Sequence, residues 1–256
     1  IIQIPARILR AEPLDAKVIG FKGVGQVETQ GTSEALSLDM AVRQGSVIET
    51  GPGSFATMEL SNGSRITLPS QTRLRITAMR RFLLTGSLDF DFTVEKGRIE
   101  TSAAPLGKDG SRYRIRTPIA VSAVRGTTFR IGYNGEAEPS LTEVVEGTVA
   151  VKPGEARAET PIPQGYGASV ATGGALTKEE LLPSPALVDP GKVQVDPVVA
   201  FQLTPLPDAR AYHLQLASDA GFVELLTETY SDTPEARFAD VPNGRWFVRA
   251  TAIAQS

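Results

Sequence analysis

The sequence contains no cysteine and a single histidine, His213, in 256 residues. The lack of cysteine excludes disulfide bonds, thiolate metal sites and cysteine nucleophiles. One histidine without an Asp-x-Asp-x-Asp-Gly loop leaves no set of metal ligands that spacing can identify. No Gly-x-Ser-x-Gly motif accompanies His213 either. We therefore predict no metal and no catalytic residues, and we interpret His213 as a surface residue on the polar face of a strand.

Long apolar runs are also missing, since no segment approaches the ~18 apolar residues of a membrane-spanning helix. The formal net charge of −3 gives no general attraction to nucleic acid, and we predict none as a partner. The stretch GVGQVE (23–28) leads into a strand rather than a helix, so we expect neither a phosphate-binding loop nor a cofactor. The chain begins at Ile1, and we expect it to be a fragment of a longer protein.

Short segments of alternating polarity fill residues 17–172. In one of them Phe90, Phe92 and Val94 share one strand face, while acidic residues share the other face. Asn62-Gly63 supplies the residues of a two-residue hairpin turn between two further segments. No segment of useful length in this region has helical periodicity, which predicts an all-β fold.

A glycine opens several of these segments, and a β-branched apolar residue follows it at the second or third position. The segments are GQVET (25–29), GSVIETG (45–51), GRIET (97–101) and GTVAV (147–151). Glycine permits a bulge or a tight entry at the start of a strand. This repeated device predicts a β-sandwich, a β-roll or a short β-solenoid, with a spacing too irregular for a counted repeat array.

The sequence predicts two domains. The first is a β-domain over residues 1–172, and a proline- and glycine-rich linker follows at 173–194. Within the linker, Thr177 to Glu180 has the form of a capping box and could begin a short helix that the next prolines stop. Strands resume at 195–256, which predicts a second, smaller β-sandwich that is truncated at its end.

A basic stripe is the candidate binding surface. The two-residue repeat of a strand places Arg112, Arg114 and Arg116 on one face at intervals of ~7 Å, and Arg73 and Arg75 form a similar pair. Such a stripe could hold an anionic polymer or an acidic partner. Alternatively, the arginines form cross-strand ion pairs with a neighbouring acidic strand, and we favour this interpretation because the two strands lie close in sequence. The acidic residues of that strand are Asp89, Asp91 and Glu95.

The segment TPIAVSAVRGTTFRIG (117–132) places one arginine inside an apolar run. A buried guanidinium needs carboxylate or carbonyl partners. We therefore predict that Arg125 is largely buried, paired and structural, and that the adjacent glycine allows a bulge or a close backbone approach. The residues of this structural motif are Thr117, Pro118, Arg125, Gly126, Thr127, Phe129 and Gly147.

This motif resembles the FecR domain. The family pattern combines a G-D/S-x-I/V-x-T-G strand, a D/N-G-S hairpin, a G-x-I/V strand, T-P-x-A-x-x-x-V-R-G-T-x-F and V-x-E-G-x-V. The sequence has GSVIETG, NGS, GRIET, TPIAVSAVRGTTF and VVEGTVAV in the same order, over about residues 40–152. From about residue 195 the chain resembles a fibronectin type III-like module, on the strength of ARAYHLQLASDAGF and NGRWFVRATA.

The arrangement is similar to envelope proteins in which a FecR domain follows a LysM peptidoglycan-binding domain and precedes fibronectin-like modules. The resemblance implies a periplasmic or cell-envelope location. We expect a non-enzymatic binding or scaffolding protein, with peptidoglycan or an envelope protein as its partner. The first alternative is a periplasmic signalling domain of the FecR sigma-regulator type, which relays the loaded state of an outer-membrane transporter to a sigma factor.

A second alternative is a carbohydrate-binding module or a carbohydrate-directed enzyme. Such an enzyme needs two carboxylates in a cleft, ~5–10 Å apart. No motif in the sequence selects a pair, and the candidates are Glu143, Glu146, Asp89 and Asp91.

Overall fold

The computed structural model of the chain describes residues 10–107, 110–135, 137–154, 156, 158–191, 193–196 and 198–254. All regular elements among these residues are β-strands, so the all-β prediction is confirmed. No helix in the described ranges is long and apolar enough to cross a membrane. The chain divides into two compact units, Ile1–Glu180 and Leu181–Ser256. The outer ends of the two predicted domains, 1–9 and 255–256, lie outside the described residues.

The first unit contains two sheets that share one long strand, β10 (Leu88–Ser102). The first half of β10 pairs with β9 (Arg73–Phe82) and β11 (Arg112–Arg116) in the first sheet. Its second half pairs with β8 (Arg65–Leu68) and β13 (Thr128–Tyr133) in the second sheet. The architecture is therefore a two-sheet β-sandwich joined through its longest strand.

Seven further strands complete the first sheet by joining β9, β10 and β11. They are β1 (Ala11–Pro13), β3 (Gly25–Thr29), β4 (Thr32–Ala35), β6 (Val47–Thr50), β12 (Ala120–Val124), β15 (Thr148–Pro153) and β16 (Thr160–Pro163). The second sheet adds β2 (Asp15–Lys22), β5 (Ala41–Arg43), β7 (Phe55–Leu60), β14 (Ser140–Glu146), β17 (Tyr166–Val170) and β18 (Leu176–Glu180). The strand order of the first sheet is β4-β3-β6-β9-β10-β11-β12-β15-β16, and β1 pairs with β9 next to β6. The strand order of the second sheet is β5-β2-β7-β8-β10-β13-β14-β17-β18.

The core of the first unit follows the predicted alternation. Phe90 and Phe92 from the first sheet and Ile99 and Phe129 from the second belong to one buried cluster. Each large side chain removed from water contributes roughly 1.5–3 kcal/mol to folding. Tyr113 packs edge-on against Phe90 in the same cluster, with ring centroids 5.9 Å apart. Inward-facing residues of both sheets therefore hold the sandwich together.

The strand-opening glycines mark the places where the chain passes from one sheet to the other. Gly25 is the first residue of β3, after the end of β2, while Gly45 lies between β5 and β6 and Gly147 between β14 and β15. Gly97 lies where β10 itself changes sheet. The spacing is irregular because some crossings are separated by hairpins within one sheet.

The hairpin predicted at Asn62-Gly63 joins β7 and β8, but its loop has three residues rather than two. Glu59 is opposite Arg65 in the register, and Leu60 N donates to Ser64 O at 2.8 Å. Gly63 alone takes a positive φ there. A three-residue loop of this kind needs glycine at one position only.

The helix predicted near Thr177 is wrong, because these residues form strand β18. Thr177 pairs with Ser169 and Glu180 with Tyr166 on β17. The prolines that follow at 183 and 185 leave room for only about one helical turn, which is too short to be stable alone. Sheet pairing satisfies the same backbone groups, so the first unit extends through the start of the predicted linker.

The second unit also contains two sheets. One pairs β19 (Val198–Gln202) with β22 (Glu235–Ala239). The other has β20 (Ala209–Ala217) between β21 (Leu225–Ser231) and β23 (Phe247–Ala254). Its core contains Leu203, Tyr212, Leu214, Leu216, Ala236 and Phe238. The inward positions of β20 are those that alternation predicted, while the fibronectin type III-like resemblance of this unit stays a prediction.

Candidate functional site at the Arg125 corner

The Arg125-Gly126-Thr127 segment forms the corner at which the chain leaves β12 in the first sheet and enters β13 in the second. Gly126 has a φ of +63°, and a Cβ there would lie 3.3 Å from the Cα of Pro105. A side chain at this position would therefore be strained by its backbone conformation and crowded by its neighbour. The glycine is required for the turn.

Thr127 is buried directly after the turn. Its carbonyl oxygen accepts a hydrogen bond from Ala103 N at 2.9 Å, and its Oγ1 donates to Thr148 O at 3.2 Å. The neighbouring corner contains Gly147, with a φ of +84°, whose added Cβ would approach Thr127 Oγ1 to 3.0 Å. The two corners are thus stacked against each other, and their glycine and threonine residues have structural roles.

Arg125 differs from its neighbours, since it is exposed and has no ion pair or side-chain hydrogen bond with any described residue. The prediction of a buried and paired Arg125 is wrong. The chain bends at this residue, so the in-out alternation of β12 ends at the buried Val124. The glycine that follows marks a corner between sheets. Of the bulge or close backbone approach predicted for it, the close approach, to Pro105, is the one that the structure has.

Pairing elsewhere in the first unit makes this arginine distinctive. Ten other arginines described in that unit form ion pairs: Arg43, Arg65, Arg73, Arg75, Arg80, Arg81, Arg98, Arg114, Arg116 and Arg130. Within the described ranges, only Arg10, Arg112 and Arg125 of this unit form none. A guanidinium without a partner retains all five of its donors for a ligand.

An exposed apolar side chain lies beside the corner. The pairing of β13 with β14 shifts register between Thr128 and Phe129, which leaves Val145 in a β-bulge. Val145 is 40% exposed, and the next residue, Glu146, is also exposed. Bulges commonly redirect a side chain next to a functional site. The corner therefore offers one cation without an ion pair to any described residue, one apolar group and one carboxylate on neighbouring turns.

The other motif residues have structural roles. Thr117 is buried, and its hydroxyl donates to Ser140 Oγ at 3.0 Å and accepts from Ala120 N at 3.1 Å. Pro118 is exposed in the turn before β12 and lines a depression of about 500 Å³. That depression lies at the opposite end of β12 from Arg125, so it is separate from the corner.

The predicted basic stripe forms a cross-strand ion-pair network, as the favoured interpretation expects. Arg114 Nη2 lies 3.1 Å from Asp89 Oδ1 and 2.9 Å from Asp91 Oδ2. Arg116 also binds Asp91, and Arg80 binds Asp89 at 2.8 Å. Both aspartates are buried on the outer face of the first sheet because the arginines cover them.

The second part of the stripe is a further network, around Glu95. Arg73 binds Glu95 at 2.8 Å and Glu49 at 2.6 Å, and Arg75 also binds Glu95. Partial burial alone would raise the pKa of Glu95, but hydrogen bonds from Arg75 and Arg73 outweigh it and lower that pKa. The hydrogen bond to Glu95 likewise raises the pKa of Arg73. Arg112 alone of the five stripe arginines is exposed and without an ion pair to any described residue.

The acidic residues that the sequence offered for a carbohydrate-directed enzyme do not form a pair of carboxylates without ion pairs. Asp89 and Asp91 are enclosed by the arginine network. Glu143 lies 3.0 Å from Arg98 and 3.3 Å from Arg130. Glu146 remains exposed near the corner. Three of the four carboxylates are thus held in ion pairs by arginines.

His213 is buried rather than on the surface, so that prediction is wrong. It is 4% exposed, and its Nε2 lies 2.9 Å from Glu228 Oε2. Its ring stacks on Tyr230, with centroids 4.3 Å apart. Gln215 also donates to Glu228 at 3.3 Å. The polar face of β20 is covered by its neighbouring strands and their side chains, which alternation within one strand could not show.

Comparison with protein families gives a match to the model described as FecR protein over residues 46–150. This part of the chain matches a FecR domain. The matched segment includes β6 through the first half of β15, and so both strands that flank the Arg125 corner. The predicted resemblance to the FecR domain is confirmed.

Among solved structures, the chain is similar to two crystal structures of a protein from Parabacteroides distasonis ATCC 8503, provisionally described as an anti-sigma factor, at 2.50 and 1.65 Å resolution. In each case the identity is 20%, and the match covers 52% of this chain and 59% of that chain. The TM-scores are 0.43 and 0.44. The match thus spans about three fifths of that protein's length. Comparison with curated proteins finds no match.

Proposed function

We propose that this chain is a non-enzymatic, periplasmic signalling domain that binds another protein through the Arg125 corner. The FecR domain at residues 46–150 favours signal transduction over peptidoglycan scaffolding, which was the leading expectation from the sequence. In this family, signalling implies contact with a transporter or a membrane-bound regulator. The partner is therefore expected to be a protein of the cell envelope.

The observation that carries the proposal is the exposed guanidinium of Arg125, which has no ion pair with a described residue, in a domain whose other described arginines are mostly paired. The turn requires Gly126 and Thr127, but no described contact requires an arginine before them. Exposed arginines next to an apolar side chain are common at the centre of protein interfaces. Val145 supplies that apolar group on the adjacent turn.

The ion-pair networks support the non-enzymatic part of the proposal. Asp89, Asp91 and Glu143 are each bound by arginines, so none of them is poised as a free acid or base. Glu146 is exposed near the corner. A single exposed carboxylate does not make the paired site that glycoside hydrolysis uses.

In-cell photocrosslinking tests the proposal directly. A photoreactive amino acid replaces Val145 in the full-length protein, and the matched control carries it at Leu38, another exposed residue of the first unit. We expect position 145 to give a crosslink to an envelope protein, and position 38 to give none to that protein. A crosslink of equal yield from both positions contradicts a specific corner site.

Sedimentation with purified peptidoglycan tests the scaffolding alternative. The informative variants are Arg112→Glu and Arg125→Glu, because neither arginine has an ion pair to lose among the described residues. We expect little binding of either the natural chain or the variants. Peptidoglycan binding that is strong and is unchanged by Arg125→Glu would favour scaffolding over the proposed function.

A further inference from the structure

The hairpin between β9 and β10 carries two exposed leucines at its tip. Leu83 and Leu84 are 56% and 66% exposed. Backbone hydrogen bonds fix the tip, since Leu83 N donates to Arg10 O at 2.9 Å and Gly86 N to Phe82 O at 2.7 Å. Two adjacent large apolar residues on a fixed turn form an exposed patch, which indicates an interaction site. Single exposed apolar residues scattered over a surface do not.

Two further arginines among the described residues of the first unit, both without an ion pair to a described residue, flank this tip. Arg10 precedes β1, whose Ala11 is opposite Phe82 at the end of β9. Arg112 begins β11 and is opposite Asp89 near the start of β10. Both arginines are exposed, and neither side chain has an ion pair with a described residue. The leucines therefore lie between two cations that have no ion pair with a described residue, at one end of the first sheet.

Local charge at this end opposes the net charge of the chain. The described charged residues next to the tip are Arg10, Arg80, Arg81, Arg112, Glu12 and Asp89. Four cations against two anions give a local excess of two positive charges, in a chain whose formal net charge is −3. A depression of about 300 Å³ adjoins the tip and is lined in part by Arg81 and Ser111. This arrangement complements a negatively charged partner surface.

We propose that the β9–β10 tip docks onto a membrane surface that contains anionic lipids. The leucines enter the interfacial region, and Arg10 and Arg112 contact lipid phosphates. Adjacent exposed leucines flanked by cations match a bilayer surface, where a small apolar group and a few cations act together and no complementary protein surface is needed.

Sedimentation with lipid vesicles tests this proposal. One set of vesicles contains phosphatidylethanolamine and phosphatidylglycerol, and the other contains phosphatidylcholine alone. We expect the chain to bind the first set and not the second, and added salt to weaken that binding. Replacing both leucines (Leu83→Ser with Leu84→Ser) is expected to reduce the binding constant by roughly tenfold or more. Arg112→Ala is expected to reduce it by about fivefold.

Leu38→Ser is the matched control, because Leu38 is 57% exposed in the same unit but is not at the tip. We expect its vesicle binding to equal that of the natural chain, with all variants folded by thermal unfolding. Equal binding to both lipid compositions, or an equal loss in Leu38→Ser, overturns the proposal. A second result also overturns the proposal: the natural chain binds no vesicles, and replacing the leucines shifts it from dimer to monomer. The tip would then be an interface between copies of the chain.

The membrane proposal rests on other residues than the proposed function, although Arg125 lies at the same end of the first sheet as Arg112, because Arg114 is opposite Ala123 in the antiparallel β11–β12 register. Arg125→Glu would change the local charge near both sites, so the leucine variant is the one that distinguishes the two proposals. Loss of vesicle binding in the leucine variant, with crosslinking at position 145 retained, would separate the two sites.

Discussion

Arg116 and Asp91 form a two-pronged ion pair across neighbouring parallel strands. Arg116 Nε lies 2.7 Å from Asp91 Oδ1, and Nη2 lies 2.9 Å from Oδ2. The hydrogen bond and the charge of Asp91 raise the pKa of Arg116. Asp91 is buried on the outer face of the sheet, where Arg116 and Arg114 both bind it. Arg116, which the sequence placed in a candidate binding stripe, therefore has a structural role in this ion pair.

Replacing the carboxylate tests that structural role. Asp91→Ala is expected to lower the free energy of unfolding of the first unit by about 2–4 kcal/mol, because a buried ion-pair partner is lost. Chemical denaturation followed by circular dichroism measures the change. Glu59→Ala is the control, since its pair with Arg65 is largely exposed and is expected to contribute less than about 1 kcal/mol. Equal losses of unfolding free energy in the two variants would show that the buried network stabilises the domain no more than an exposed ion pair does.

The Glu95 network predicts a specific pH dependence. The folded-state pKa of Glu95 is lowered, so its contribution is present above the ordinary glutamate pKa of about 4.3 and is lost as the pH falls through the folded value. Glu95→Gln is therefore expected to cost about 1 kcal/mol at pH 7 and progressively less in acid. Denaturation at several pH values checks this, with Glu34→Gln on exposed strand β4 as the control. A difference that grows on acidification would contradict the assignment.

The stacked corners predict that Gly147 cannot carry a side chain. Gly147→Ala is expected to destabilise the first unit by about 1–3 kcal/mol, because the alanine would hold a positive φ and would crowd Thr127 and Gly126. Gly132→Ala is the matched control, since a Cβ at that strand position meets open space. Thermal unfolding compares the two. Similar melting temperatures for both variants would mean that the corner adapts to a side chain.

His213 is expected to stabilise the second unit. His213→Ala removes the hydrogen bond to Glu228 and the stack on Tyr230, at a cost of about 1–3 kcal/mol. Trp246, the single tryptophan of the chain, reports the unfolding of this unit by fluorescence. Arg210→Ala, an exposed change on the same strand, is expected to have little effect. An unchanged unfolding transition in His213→Ala would show that His213 does not stabilise the second unit.

Alternating polarity predicted the all-β character and the core of the first unit, but not its last strand, β18. Phe90, Phe92 and Val94 are buried as expected, because sheet geometry fixes which face each residue takes. The same logic predicted the pairing of Arg114 and Arg116 with Asp89 and Asp91. What the pattern could not supply was the path of β10 through both sheets, since that depends on pairings between residues far apart in sequence.

The predictions of burial for Arg125 and His213 were wrong for the same physical reason, although the errors have opposite signs. Apolar neighbours suggested that Arg125 is buried, but the chain turns there and the arginine faces solvent. Polar neighbours suggested that His213 is exposed, but adjacent strands cover it. Burial is set by what lies across from a residue, and sequence neighbours report only the local face. Glycine after Arg125 was the one local sign of a corner.

The central claim is that Arg125 contacts a partner and does not hold the domain together. The most direct measurement is the yield of the crosslink from position 145, compared between the natural Arg125 background and Arg125→Glu, with Arg43→Glu as the exposed-arginine control. We predict that Arg125→Glu lowers the yield by roughly tenfold or more, while its protein level and melting temperature match those of Arg43→Glu. An unchanged yield, or a loss that is fully explained by unfolding of the domain, would contradict the account.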